Sequence, residues 1–185
     1  MKIAFLSGRP KNGTLLPREE KLVWREMVRV LREDLEHPVF KNGTFLIPIY
    51  NKFDLYAISV AEKNHVPVEY YLPTDRWGTE KLPQHQLYLI QRMQGERHIC
   101  GNSTQRMIDM IRDADYVYLL PDTDGVERFL PYLEGKAVRV FPTDRMRYFT
   151  EEDGAALYEQ LRANTAIHMQ MQQVRDNNAS GREEF

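Results

Sequence analysis

Short apolar runs alternate along this chain with longer segments in which apolar residues recur at helical spacing. The first run, Lys2 to Ser7, is ended directly by Gly8 and Pro10. From Arg18 to Leu35 apolar residues then recur every three or four positions, the pattern of an amphipathic helix. Repeated strand–helix–strand units pair their strands in parallel through right-handed crossovers. The alternation therefore restricts the chain to the α/β class.

Five strands and six helices are predicted from this alternation. The strands are Lys2 to Ser7, Phe45 to Tyr50, Val66 to Leu72, Tyr116 to Leu120 and Lys136 to Phe141. The helices are Arg18 to Leu35, Lys52 to Asn64, Gln84 to Gln94, the segment from Asn102 to Asp115, Val126 to Leu133, and Glu151 to about Val174. The stretch around His98 to Gly101 is interpreted as a connector. We expect a Rossmann-like three-layer sandwich: a mainly parallel five-stranded sheet with helices on both faces and the first strand at its centre.

The 185 residues fit one domain, which can bury a sizeable core without disulfides or metals. Residues 1–150 are predicted to form the Rossmann-like, ligand-binding domain, and residues 151–175 a C-terminal helix that packs on it or lies at an oligomer interface. Residues 176–185 are predicted to be a polar, disordered tail. Because the C-terminal helix is rich in leucine, isoleucine and methionine, we expect a homodimer or a higher assembly.

Composition excludes several classes of partner. With 25 basic and 27 acidic side chains the net charge is −2, so generic nucleic-acid binding is not expected. No apolar run approaches the roughly 18 residues that a membrane span needs, so no membrane association is expected. The first apolar run is too short for a signal peptide. A single cysteine, Cys100, fits a reducing compartment. These features predict a cytoplasmic protein.

No metal or other cofactor is expected. The five histidines show no metal-ligand spacing along the chain, and one cysteine cannot form a cysteine-based zinc site. The histidines are His37, His65, His85, His98 and His168.

Ligands of open parallel sheets bind outside the carboxyl ends of the strands, where the strand order reverses. Polar residues gather at four such places: the loop after the first strand, the turn after the second, the helix start near Asn102, and the loop after the fourth. Gly8 would let a ligand approach the backbone, and Arg9 would pair with a phosphate or carboxylate. The predicted ligand-binding residues are Ser7, Gly8, Arg9, Asn51, Asp54, Asn102, Ser103, Thr104, Asp122, Asp124 and Gly125.

The acidic residues have two interpretations. Asp54 would accept a hydrogen bond from a ribose hydroxyl, and Glu127 is the candidate catalytic residue, since a carboxylate can stabilise the oxocarbenium-like state of N-glycosidic cleavage. Asp122 and Asp124 would join them over one crevice if the first and fourth strands are neighbours. Alternatively, Asp122 and Asp124 cap the helix that follows them.

The order of these motifs resembles the SLOG superfamily, which includes the DprA/Smf and LOG proteins, and is most similar to its YspA- and YpsA-like branch. The resemblance rests on Ser7-Gly8-Arg9-Pro10, on Asp54 with the helix after it, and on the apolar strand ending at Pro73. It extends to Asn102 through Pro121, where Asn102 and Arg106 stand near the place of the family's Arg-Asn pair, and it covers about residues 1 to 145. It implies a nucleotide-binding Rossmann-like fold and an oligomer.

Two departures from the family keep three functions open. Tyr50 to Phe53 replace the glycines of the second turn, and Asp122 to Glu127 occupy the place of the glycine-rich LOG phosphoribohydrolase motif. The leading hypothesis is binding of a nucleotide or nucleotide-derived small molecule. The alternatives are an N-glycosidase or transferase acting on nucleoside monophosphates, and an interaction protein that binds no ligand.

Overall fold

The computed structural model describes residues 1–7, 9–10, 17–49, 52–74, 91, 95–120, 123–141, 147–160 and 162–163. For some of these, among them Arg9, Lys52 and Asp124, only the backbone is described. The helix predicted from Gln84 to Gln94 lies outside the described residues except at position 91, and so does the tail 176–185.

Six parallel strands form the main sheet. In chain order they are β1 (Lys2–Ser7), β3 (Thr44–Ile47), β4 (Val68–Pro73), β5 (Glu96–Cys100), β6 (Tyr116–Leu120) and β8 (Ala137–Val140). Their order across the sheet is β5-β4-β3-β1-β6-β8, and β9 (Arg147–Tyr148) adds an antiparallel edge beside β8. A separate two-stranded ribbon pairs β2 (Arg9–Pro10) with β7 (Thr123–Asp124). The predicted α/β class, the parallel pairing and the central first strand are confirmed.

The predicted count of five strands is wrong by two, the short antiparallel β9 and the strand β5. The segment interpreted as a connector at His98 is β5, which lies at the edge of the sheet. Its burial pattern explains the error. Only Cys100 is buried, while Glu96, Arg97 and Ile99 are exposed, so no apolar run marks the strand. Charged side chains are common on edge strands, where they discourage pairing with other chains.

The described helices are α1 (Pro17–Glu36), α2 (Pro38–Lys41), α3 (Lys52–Asn64), α4 (Ser103–Asp113), a 3₁₀ helix (Val126–Leu133) and α5 (residues 151–160). The first predicted helix does end before His37-Pro38, and Pro38 then begins α2, a position that tolerates proline because the first helical N–H needs no partner. The predicted bounds of α3 are confirmed. None of the described helices has the length and apolar character needed to cross a membrane.

Alternating strand residues divide the core between the two faces of the sheet. Ile3 and Phe5 of β1 pack with α1, α2 and α3, whereas Ala4 and Leu6 pack with α4 and the 3₁₀ helix. Successive strand side chains point to opposite faces, so buried central strands need apolar residues at every position. Helices on both faces give the three-layer sandwich. Leu157 of α5 packs against the core on the α4 face.

A polar network ties α1 to the sheet. Arg139 Nη1 donates to both carboxylate oxygens of Asp34 at 2.9 Å, and the hydroxyl of Tyr118 donates to the same carboxylate. The three residues come from β8, α1 and β6. A half-buried carboxylate is stable here because a guanidinium and a phenol both satisfy it.

Candidate functional site

The direction of winding reverses between β1 and β6. From β1 the chain moves through β3 and β4 to β5 on one side, then returns to place β6 on the other side of β1. Ser7 and Leu120 are register partners where these two strands end. In open α/β sheets this reversal leaves a crevice at the carboxyl edge, where the flanking loops diverge. The first and fourth predicted strands are therefore neighbours, the condition under which Asp122 and Asp124 are considered for the crevice.

A small cavity lies at this reversal and brings two predicted site residues together, Ser7 and Asp54. Its volume is about 20 Å³. A cavity of this size holds roughly one water molecule. It is lined by Phe5, Leu6, Ser7, Met27, Phe53, Asp54, Tyr118, Leu120 and Phe141. The neighbouring loop positions 8, 11–16 and 50–51 lie outside the described residues.

Buried polar side chains concentrate at the same carboxyl edge. Apart from tyrosines, three polar or charged side chains are buried in the described part of the chain: Ser7 at 3% exposure, Asp54 at 0% and Arg106 at 2%. Ser7 ends β1, Asp54 lies in the first turn of α3, and Arg106 Nη1 donates to the carbonyl oxygen of Pro48 at 3.0 Å, just beyond β3. Burying such groups is costly, so their grouping at one edge suggests a functional site.

The backbone just after β3 is strained at Ile49. Ile49, which is buried, has a φ of 46°, a left-handed conformation that β-branched residues rarely adopt. Strained positions of this kind persist where the surrounding structure determines them, and they cluster at functional sites. Arg106 holds the adjacent carbonyl of Pro48. The backbone just after β3, shortly before the helix that carries Asp54, is therefore held from the α4 side.

Tyr118 is part of the cavity wall and not an acid–base group. Burial, with the nearby Tyr116 and Asp34, raises the pKa of Tyr118 well above that of a free tyrosine. The phenol stays protonated at neutral pH and donates to Asp34. Its contribution to the site is an aromatic surface.

The ribbon β2–β7 brings together the two loops predicted to share the crevice. Arg9 is the register partner of Asp124, and Pro10 that of Thr123. The side chains of Arg9 and Asp124 lie outside the described part of the structure, as do the whole residues Gly8, Asn51 and Asp122.

Gly125 and Glu127 follow that ribbon in different roles. Gly125 has a φ of 83° and precedes the 3₁₀ helix, so its role is to allow the turn. Glu127 lines a groove of about 430 Å³ between the 3₁₀ helix and α5. This groove lies over the core on the α4 face, whereas the cavity at Asp54 is lined mainly by residues of the other core. The structure does not bring Glu127 together with Asp54.

Asn102, Ser103 and Thr104 begin α4, as predicted, and all three are exposed. Asn102 Oδ1 accepts from the backbone N–H groups of Thr104 and Gln105 at 2.9 and 2.8 Å, so the cap satisfies two of the N–H groups that an anion would use. α4 starts after the edge strand β5, three strands from β1. From α4 it is Arg106 that reaches the end of β3. From the sequence, Arg106 is identified as a candidate only through the resemblance to SLOG proteins.

One group of potential metal ligands occurs among the described residues: Glu69, Glu96 and His98. It lies at the amino edge of the sheet, meaning the end at which the parallel strands begin, whereas the cavity lies at the carboxyl edge, where they end. Histidine spacing along the chain does not reveal it, because the ligands come from two strands, one of which the sequence did not predict.

Comparison with known proteins adds no relative: no family model, no curated protein and no solved structure matches the chain.

Proposed function

We propose that the chain binds a nucleotide or nucleotide-derived small molecule at the carboxyl edge, above the ends of β1 and β6. One observation carries the proposal: Ser7 and the fully buried Asp54 line the same cavity where the winding of the sheet reverses. Open α/β sheets bind their ligands at this point. The ribbon that joins the loops after β1 and β6 supports the same placement.

The proposal assigns roles to the first loop, to Asp54 and to Arg106. The backbone after Ser7, with Gly8, approaches the phosphate, and Arg9 pairs with its charge. Asp54 accepts a hydrogen bond from a ribose hydroxyl. Arg106 positions the turn that carries Asp54 by holding the carbonyl of Pro48.

Binding is better supported than cleavage of an N-glycosidic bond. Such cleavage needs a carboxylate beside the anomeric carbon. Glu127 lies in the groove beside α5, over the other face of the sheet from Asp54. The side chains of Asp122 and Asp124, the other acids of that loop, lie outside the described part of the structure.

Calorimetry against AMP, ATP, NAD and phosphate-free adenosine tests the proposal. At least one phosphorylated compound should bind, and Arg9→Ala should weaken it by roughly 1.5–3 kcal/mol, the scale of a charge-assisted hydrogen bond. Asp54→Asn should weaken the binding of nucleotides and of adenosine alike, because both carry the ribose. The matched control is Arg112→Ala, an exposed arginine in the last turn of α4. Binding unaffected by both site changes would place the site elsewhere, and no binding by the wild type would favour a protein without a ligand.

We also propose a cytoplasmic homodimer or higher assembly. The single cysteine is consistent with a reducing compartment. Tyr132 of the 3₁₀ helix and Tyr158 of α5 are large apolar side chains at 47% and 42% exposure, on the elements that line the groove. Light scattering should report a mass above 21.9 kDa, that of one chain.

A further inference from the structure

Three potential metal ligands meet on one face of two neighbouring strands at the amino edge of the sheet. Glu69 of β4 is the register partner of Glu96 of β5, and His98 lies two residues after Glu96. Residues two apart on a strand point to the same face. For this pair of strands it is the α4 face, since Tyr71, two residues after Glu69, packs in the core beneath α4.

The donor atoms are already spaced for one ion. His98 Nε2 lies 3.0 Å from Glu69 Oε2 and 3.9 Å from Glu96 Oε1, and all three donor atoms lie within 4.8 Å of one another. Two donors bound tetrahedrally to Zn²⁺ at about 2.0–2.1 Å are roughly 3.4 Å apart. The two distances from His98 Nε2 bracket that value. The 3.0 Å contact is itself a hydrogen bond, so an ion that binds here displaces its proton, and only small side-chain movements are needed besides.

The arrangement around His98 restricts the orientation of its ring. The imidazole stacks on Tyr71, with ring centroids 4.5 Å apart and an interplanar angle of 18°. The Tyr71 hydroxyl in turn donates to Asp113 Oδ2 at 2.5 Å. Outer contacts that orient a ligating histidine are typical of metal sites.

The ammonium group of Lys2 already contacts this cluster. Lys2 Nζ lies 2.9 Å from Glu69 Oε2, the oxygen that also contacts His98. The Lys2 side chain is 40% exposed, so it can leave into solvent when an ion binds. Glu96, at 69% exposure, forms the open side of the cluster, where water can complete the coordination.

We propose that Glu69, Glu96 and His98 form a site for a divalent transition-metal ion of the Zn²⁺ class, with a fourth position open to water. One imidazole nitrogen and two carboxylate oxygens suit such ions, and a purely oxygen-ligated cation such as Ca²⁺ would not use His98. The site is independent of the proposed nucleotide site, which lies at the other edge of the sheet. Lys2 competes with the metal ion.

Titration of the untagged full chain with Zn²⁺ by calorimetry, and with Co²⁺ by visible absorption, tests this site. One equivalent should bind, with a four- or five-coordinate Co²⁺ spectrum. His98→Ala and Glu96→Gln should each weaken binding at least tenfold. Glu96 is exposed, so its variant keeps the fold even if a change at His98 does not. Lys2→Met should strengthen binding.

The control is His37→Ala, which removes an exposed histidine whose side chain makes no capping hydrogen bond. It should bind both ions as the wild type does. The proposal is overturned if the wild type binds neither ion, if His98→Ala and Glu96→Gln bind like the wild type, or if His37→Ala loses binding equally.

Discussion

The size of single side chains limits how closely two strands can approach, and Gly95 is the clearest example. A Cβ at Gly95 would lie 2.4 Å from the Val68 carbonyl oxygen and 2.4 Å from Tyr70 Cε2. Glycine is needed there so that β5 can start against β4. The backbone oxygen cannot move without disturbing the sheet.

Replacing Gly95 with alanine should therefore destabilise the protein by about 1–3 kcal/mol, the range for overpacking a close contact. Gly101→Ala is the matched control, because nothing lies within 4 Å of a Cβ at that position. Urea unfolding of both variants measures the difference. Equal stabilities would show that β5 does not pack on β4 as described.

Tyr116 makes stability depend on pH at the alkaline end. Burial, and then the Asp34 carboxylate, raise the pKa of Tyr116 to about 12, against 10.0 for a free tyrosine. The unfolded chain thus loses this proton at lower pH than the folded chain. The contribution of the protonated Tyr116 hydroxyl to the free energy of unfolding is complete below pH 10 and is lost as the pH rises from about 10 towards 12.

Urea unfolding at a series of alkaline pH values tests this linkage. The wild type should lose more stability between pH 10 and 12 than Tyr116→Phe, which lacks the ionisable group. Tyr116 also helps to raise the pKa of Tyr118, so its removal reduces the loss of stability from that residue too, in the same direction. The more distant tyrosines are common to both proteins and cancel in the comparison. Parallel curves for the two proteins would exclude a raised pKa at Tyr116.

At the scale of elements, α4 holds the backbone at the end of β3, next to the candidate site. Its hydrogen bond from Arg106 to Pro48 spans from the α4 face to the end of β3, next to the strained Ile49. Arg106→Ala would leave the Pro48 carbonyl in a buried position without this donor.

We expect Arg106→Ala to destabilise the fold by roughly 1.5–3 kcal/mol. Arg112→Ala, on the exposed face of the same helix, should change stability by less than about 0.5 kcal/mol. Thermal unfolding compares the two. If Arg106→Ala is as stable as Arg112→Ala, α4 does not hold the backbone at the end of β3.

The sequence predicts correctly those elements whose own residues form a clear apolar run or a helical pattern with marked ends. The buried runs of β1 and β6 and the helix α3 have the predicted bounds, because central strands are apolar throughout and α3 has clear ends. The strand β5 was missed because an edge strand with one buried residue has no periodic signal. The two residues of β9 are recognisable as a strand only through their pairing with β8.

The candidate site could be predicted only in part, for a reason of geometry. Ser7 and Asp54 follow directly from strand ends, so the sheet order brings them together. Arg106 reaches the same edge from the second turn of a helix that starts three strands away, which sequence position does not reveal. The position of Glu127 after β6 predicts that it joins them, but Glu127 lies on the 3₁₀ helix and lines the groove beside α5.

For the whole molecule, the two edges of one sheet carry two different kinds of chemistry. The carboxyl edge combines Ser7, Asp54 and Arg106 with a strained turn, whereas the amino edge combines Glu69, Glu96 and His98 with a competing lysine. Ligands at the two edges should bind independently, because distant sites are coupled only through an element with two states.

The most direct test of the central proposal is an amide chemical-shift map of the ¹⁵N-labelled chain titrated with AMP, ATP and NAD. Binding above β1 and β6 should shift the amide signals of Ser7, Asp54 and Leu120 and leave those of Glu69 and Tyr158 in place. Shifts confined to the groove of Glu127 and Tyr158, or no shift with any of the three compounds, would contradict a nucleotide site at the carboxyl edge.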